Sequence, residues 1–321
     1  MFPSLRFQLL IPIILSVVIG CTHSDQPPSQ SENSHKGLPR IVVTSRPLMQ
    51  MTQAIVGDAG DVVLVVPAET SSPDWSPTAD DAKTMQQARL ILISGAGYEP
   101  WKDRVSLPGS RMRDTAAGYY DQLLRIPDAV KHQHGHDGPH SHPGTVWATW
   151  LDPELCNAQL HLVSVNCGRL LTERKLSIEA AEARLSAELN SLSVMIDSIK
   201  AAASDEALVV FSDAPHYQYL TRRLGWTLNY LHWDLADTLS DANRTELLDA
   251  FNANTRDALN RDKRRIFLLD SRHPADTEDF VRKSGGTVVR IDLCETASPE
   301  NTSLPNRLQQ NLQRIRDAIE E

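Results

Sequence analysis

The sequence predicts an α/β fold: two lobes, each a parallel sheet flanked by helices, joined by one long helix. Three observations predict it. Short β-branched or aliphatic runs at Ile41–Thr44, Val62–Val66, Leu90–Ser94, Ala207–Phe211, Ile266–Leu269 and Thr287–Ile291 read as strands. Amphipathic helical stretches alternate with them, which argues for parallel sheets covered by helices. Between the third and fourth runs, Leu176–Ala203 carries Leu185, Leu189, Leu192, Ile196 and Ile199 at alternating spacings of four and three, without Gly or Pro. An unbroken helix of that length runs about 40 Å at 1.5 Å per residue. It reads as a spine between the lobes, or alternatively as a surface helix of a single domain.

Taken from the start, residues 1–21 hold one basic residue, Arg6, then an apolar run from Phe7 to Ile19 broken only by Gln8 and Ser16. The run is too short and too closely followed by polar chain for a membrane span, and reads as the core of a signal peptide. It ends in Val18-Ile19-Gly20-Cys21, which resembles a bacterial lipobox. The expectation is cleavage before Cys21 and anchoring of its thiol to diacylglycerol. Residues 22–38 are rich in Ser, Gln, Pro and His with no apolar period. Such a segment buries too little surface to fold and serves as a tether. The N-terminal lobe is expected over 39–175, the linking helix over 176–203 and the C-terminal lobe over 204–321.

The whole chain has 32 Lys plus Arg against 41 Asp plus Glu, a net charge of −9. Loss of Arg6 with the signal peptide leaves 31 against 41, or −10. This acidic balance argues against a nucleic-acid partner and suits a protein that attracts cations. Cys156, Cys167 and Cys294 remain after lipidation. No Cys-x-x-Cys pair is present, Cys156 and Cys167 lie about three turns apart on one predicted helix, and all three read as buried thiols.

The histidines carry the chemistry. Five of eleven fall in the run 131–144, as His132, His134, His136, His140 and His142. Gly135, Gly138, Pro139, Pro143 and Gly144 argue against regular structure there, so an exposed, mobile loop is expected. Neutral imidazole binds zinc, copper and nickel well, and a His-rich tract can wrap an ion without a preformed cage. The bland alternative is a solvated loop. In open α/β sheets ligands gather beyond the carboxyl ends of strands. That rule draws attention to Asp74 after the second strand, His216 after the fourth and Asp292 after the sixth. His232, in Leu231-His-Trp-Asp234, is an accessory candidate or a packing residue. Thr78-x-x-Asp81 is a helix N-terminal cap.

Several ordered segments resemble the zinc and manganese solute-binding lipoproteins of ABC importers. They are Ile41–Leu48, Trp75–Asp81, Leu90–Trp101, Trp150-Leu-Asp-Pro153 and Tyr217–Gly225, with the His-rich loop just before Trp150. The resemblance covers nearly all of 39–321. It implies two α/β lobes on one rigid helix and a metal in the cleft between them. It further implies delivery to a membrane permease powered by an ATPase, and an extracytoplasmic, lipid-anchored, monomeric protein. It also implies ligand positions that this chain fills differently: Pro73, Ala148 and Ala214 stand where the family commonly has His. Only Asp292 matches a family ligand.

Two arrangements stay open. In one the shell is rebuilt from His140, His142, His216 and Asp292, a four-coordinate set suited to zinc, with His132, His134 and His136 capturing metal in the loop. His140 and His142 share a side if that piece is extended. In the other the cleft has lost its metal, leaving a His-rich buffering or adhesin-like surface lipoprotein. A zinc hydrolase with Asp213 or Asp234 as base is the remote alternative. No HExxH, GxSxG or phosphate-cradling Gly loop is present, so a binding protein rather than an enzyme is expected.

Overall fold

A computed structural model describes residues 37–67, 70, 72–126, 131–133, 139–141, 144–204, 208–235, 238–256, 263–297 and 302–321. The signal peptide, Cys21 and nearly all of the tether lie outside the described residues, as do His134, His136 and His142. No described helix is long and apolar enough to cross a membrane.

Two four-stranded parallel sheets organise the chain. The first has order β2-β1-β3-β4, from β1 (Arg40–Val43), β2 (Asp61–Leu64), β3 (Leu90–Ile93) and β4 (Met112–Asp114). Residues Lys131–Gln133 (β5) and Pro139–Ser141 (β6) pair as a separate antiparallel ribbon. The second sheet has order β10-β9-β7-β8, from β7 (Leu208–Ser212), β8 (Leu228–Tyr230), β9 (Arg264–Asp270) and β10 (Thr287–Ile291). Every pairing within these two sheets is parallel.

The period of two along each strand divides the core. In the first sheet Ile41, Val43, Leu90 and Leu92 face one core, while Val42, Ile91 and Ile93 face another with Met85, Trp75 and Trp101. In the second, Val210, Ile266, Leu268 and Ile291 face the first of these cores. On its other face Val209, Phe211, Phe267 and Leu269 meet Leu247, Phe251 and Val281. Burial on both faces is why the strands read as unbroken apolar runs rather than as alternations. β4 and β8 are edge strands of three half-buried or exposed residues each, and so carry no apolar run to betray them.

The helices follow from their caps and stripes. Ser45 accepts the Leu48 N–H at the start of α1 (Arg46–Val56). Thr78 and Asp81 form a reciprocal cap on α2 (Ala79–Gln87). Asp152 accepts the Glu154 N–H, with Pro153 first in α3 (Pro153–Leu170). Then comes α4 (Lys175–Ser204), whose 30 residues span about 45 Å. Ile178, Leu185, Leu189, Leu192, Ile196 and Ile199 form its buried stripe. After α5 (Gln218–Leu224), α6 (Asp241–Arg256) and α7 (Ala275–Lys283), the chain ends in α8 (Leu304–Glu320). The buried stripes of α1, α3, α4 and α8 belong to one core that also contains the inner faces of both sheets. Residues Gly37–Glu321 accordingly form a single compact unit.

The expectation of an irregular 131–144 segment needs correction. Its two described pieces form the β5–β6 ribbon, with Gln133 opposite Pro139. An isolated two-stranded ribbon tolerates Pro at an unpaired backbone position. Of the residues predicted to prevent structure, Pro139 lies within β6, Gly135 and Gly138 lie between the strands in sequence, and Pro143 and Gly144 follow them.

Candidate functional site

The carboxyl ends of β3, β7, β9 and β10 supply a cluster of buried polar residues. After β3, Gly95, Ala96 and Gly97 all take positive φ, at 73°, 54° and 83°. Gly95 is required there, because a Cβ would come within 2.0 Å of Asp114 Oδ1. The tight turn folds Tyr98 and Glu99 back beneath the strand ends. Glu99 Oε1 accepts Thr44 Oγ1–H at 2.6 Å and the Ser94 N–H at 2.7 Å, and Oε2 accepts the Gly95 N–H at 3.0 Å. Burial raises its pKa to about 7 despite these donors.

Tyr98 crosses to the second half of the chain, where its hydroxyl donates to Glu295 Oε1 at 2.5 Å. Arg272 donates to Glu295 Oε2 at 3.0 Å and grips Asp270 at the end of β9, with Nη2 2.6 Å from Oδ2. Burial works against the Arg272 charge, but Asp270 and Glu295 outweigh it and hold the guanidinium above its ordinary value. Beside this group, Asp213 Oδ2 lies 3.1 Å from His273 Nε2, both side chains almost fully buried. Burial pushes the Asp213 carboxyl up, and the His273 hydrogen bond pulls against it.

An aromatic cluster closes the space next to these polar groups. Trp147 lies 5.0 Å from Tyr98 and 5.6 Å from Trp150, and Trp150 Nε1–H donates to the Leu293 carbonyl at 2.9 Å. His216 packs on Trp147, with ring centroids 4.2 Å apart. The ribbon's foot is fixed nearby: Arg125 bridges Thr145, and Tyr219 Oη accepts the Leu124 N–H and donates to the Val146 carbonyl. His216 therefore sits where the His-rich segment leaves the folded body. Within that segment the backbone register sets His132 opposite His140.

The other sequence-derived candidates fall less centrally. Asp74 is exposed on a single helical turn before Trp75. His232 is half-buried and edge-on to Tyr230 at 5.4 Å. Asp234, the imagined base, is exposed. The three thiols are buried and unbridged. Asp292 does lie at the strand-end position, but Arg307 Nε and Nη2 hold its two carboxylate oxygens, each at 2.7 Å. Ala148 and Ala214 are core residues. Among the described residues no three His, Cys, Asp or Glu side chains are placed to hold a metal ion. The four-residue shell expected from the sequence includes His142, which lies outside the described residues. Sequence reasoning missed Tyr98, Asp270, Arg272, His273, Glu295 and Arg307. The strand-end rule that singled out Asp292 applies equally to Asp270 and His273.

The family model for the zinc-uptake complex component A, periplasmic, matches residues 41–318. The high-affinity zinc uptake system protein ZnuA of Bacillus subtilis is 30% identical over 101 residues, 32% of this chain and 31% of that protein. The first curated relatives align over less than half of their own length. Among solved structures, a mutant of FpvC from Pseudomonas aeruginosa superposes with a TM-score of 0.70 at 18% identity, covering 88% of this chain and 99% of that one. Zn(II)-bound AdcA from Streptococcus pneumoniae gives 0.68 at 15% identity, over 89% of this chain and 58% of that one. These likenesses show the shared two-lobed α/β fold.

Proposed function

The chain belongs to the periplasmic zinc-uptake component A family, and from that premise we propose that it captures a divalent transition metal, zinc first, outside the cytoplasm. It hands the metal to an ABC permease driven by a cytoplasmic ATPase, as a monomer anchored through a diacylglycerol on Cys21. The observation that carries this reading is the match over residues 41–318. We read the chain as a binding protein, not an enzyme. Imidazoles of the segment His132–His142 supply the ligands: His140 and His142 from the ribbon's outgoing strand and the residues beyond it, His216 at its foot, with His132, His134 and His136 gathering metal first. Imidazole-rich shells favour zinc, copper or nickel over manganese. Asp292 joins this shell only if Arg307 releases it.

Calorimetric zinc titration of the full chain tests this reading. Expected is a one-to-one complex at pH 7.5 that weakens at least about tenfold at pH 5.5, because imidazoles protonate near pH ~6.5. His216→Ala weakens it further. Absence of binding, or affinity indifferent to pH, overturns the assignment. A second reading is supported by the buried Ala148 and Ala214 and the paired Asp292: a surface lipoprotein that buffers metal through its His-rich segment alone. Weak binding of several ions that disappears when residues 132–138 are deleted identifies that case.

A further inference from the structure

Asp292 follows β10 at the position where the sequence resemblance implies a metal ligand, and here that carboxylate already has a cation. Arg307, on the first turn of α8, is 3% exposed. Its Nη2 reaches Asp292 Oδ1 and its Nε reaches Oδ2, both at 2.7 Å, the two-point geometry in which guanidinium and carboxylate match best. Oδ1 also accepts the Cys294 N–H at 2.8 Å. The remaining guanidinium nitrogen, Nη1, donates to the Thr296 carbonyl at 2.9 Å. To deliver these groups the chain bends back at Cys294, a non-glycine residue at φ +62°. One turn along α8, Asn311 accepts the Asp292 N–H at 2.9 Å and donates to its carbonyl at 2.8 Å. Side chain and backbone of Asp292 are thus both held by α8.

The same short segment is tied to the first half of the chain by side-chain hydrogen bonds. Trp150 donates to Leu293, and Tyr98 donates to Glu295. Charge balance at the Asp292 carboxylate and contact between the two halves are both made by side chains of this chain.

We propose that Arg307 is the resident cation of the strand-end site: its guanidinium neutralises Asp292 permanently, and metal held by this chain is held without Asp292. A metal ion reaching Asp292 has to displace both guanidinium bonds and expose a buried arginine. The family position is kept in sequence while its chemistry has passed to an internal ion pair. Only the zinc arm of the following test rests on the function proposed above.

The test compares the full chain with Asp292→Asn, by zinc calorimetry at pH 7.5 and by thermal melting in excess chelator. Expected are a zinc Kd within threefold of the parent and a metal-free Tm lowered by at least about 5 °C, the scale on which a buried ion pair is felt in a chain of this size. A Kd weakened tenfold or more, or an unchanged metal-free Tm, overturns the proposal. If the parent binds no zinc, the functional reading fails by itself and the melting arm alone decides about Arg307. Should Asp292→Asn not fold, Arg307→Lys keeps the charge and loses the fork. Its zinc Kd is expected within threefold of the parent, and tightening of tenfold or more overturns the proposal by showing that the guanidinium had been competing with zinc.

Discussion

Glu99 is expected to make the stability of this protein fall as pH rises from about 4.5 to about 7. The carboxyl is 1% exposed and its pKa is raised from 4.5 to about 7, chiefly by burial. The native state therefore binds a proton between those values that the unfolded chain has released, and stability declines with pH across that window. At about 1.4 kcal/mol per pH unit, ionised Glu99 costs about 3 kcal/mol above pH 7 relative to its neutral form. Between pH 8 and pH 5 most of that, about 2–3 kcal/mol, is recovered. Glu99→Gln removes the titration and keeps an oxygen for Thr44 and Ser94, at the cost of facing the Gly95 N–H with an amide. Urea unfolding of both proteins at pH 5, 6, 7 and 8 is the assay. With a slope of about 2–3 kcal/mol per molar, the parent's midpoint rises by about 1 M more than the variant's on acidification. Asp152 and Asp213 are also raised by burial, so both proteins gain stability in acid, and only the difference reports Glu99. Equal pH slopes in the two proteins refute the reasoning.

Two further outcomes follow from buried groups. His273→Ala strips Asp213 of its imidazole partner in a site where both side chains are almost fully buried, and is expected to cost roughly 3 kcal/mol. His273→Gln, which keeps a donor, recovers part of it in the same melting experiment. The three thiols are buried, and burial raises each pKa, that of Cys167 to about 12. Ellman's reagent should modify none of Cys156, Cys167 and Cys294 in the folded chain and all three in denaturant. Rapid reaction of any one in the native state contradicts the burial assigned to it.

The sequence disclosed those parts of the fold whose physics is local or periodic. Six apolar strands, the stripe of α4 and the Thr78–Asp81 cap were legible because each is written in a few neighbouring residues. β4 and β8 were not, since an edge strand of three residues needs only a partner's backbone and no apolar run. The site divides in the same way. His216 and Asp292 were visible from their positions after strands, but Asp292's partner is not. Arg307 lies fifteen residues on, at the start of a helix whose apolar stripe is its obvious feature, and only the path of the chain through Cys294 brings the two together. Tyr98 with Glu295, 197 residues apart, is beyond any spacing rule. The Gly and Pro residues of the His-rich run suggested a wholly irregular segment, yet a short ribbon needs only three residues on each side, and one of them here is Pro139.

The common core beneath both sheets has a consequence for how this protein can change over generations. Ile41 and Val43 from one sheet share an interior with Val210 and Ile266 from the other, through helices drawn from both ends of the sequence. Each half has a core of its own on the outer face of its sheet, but the interior beneath the inner faces is shared. A recombination that exchanged one half for that of a distant relative would have to match a continuous interface of interlocking side chains, so the halves are poor currency for shuffling.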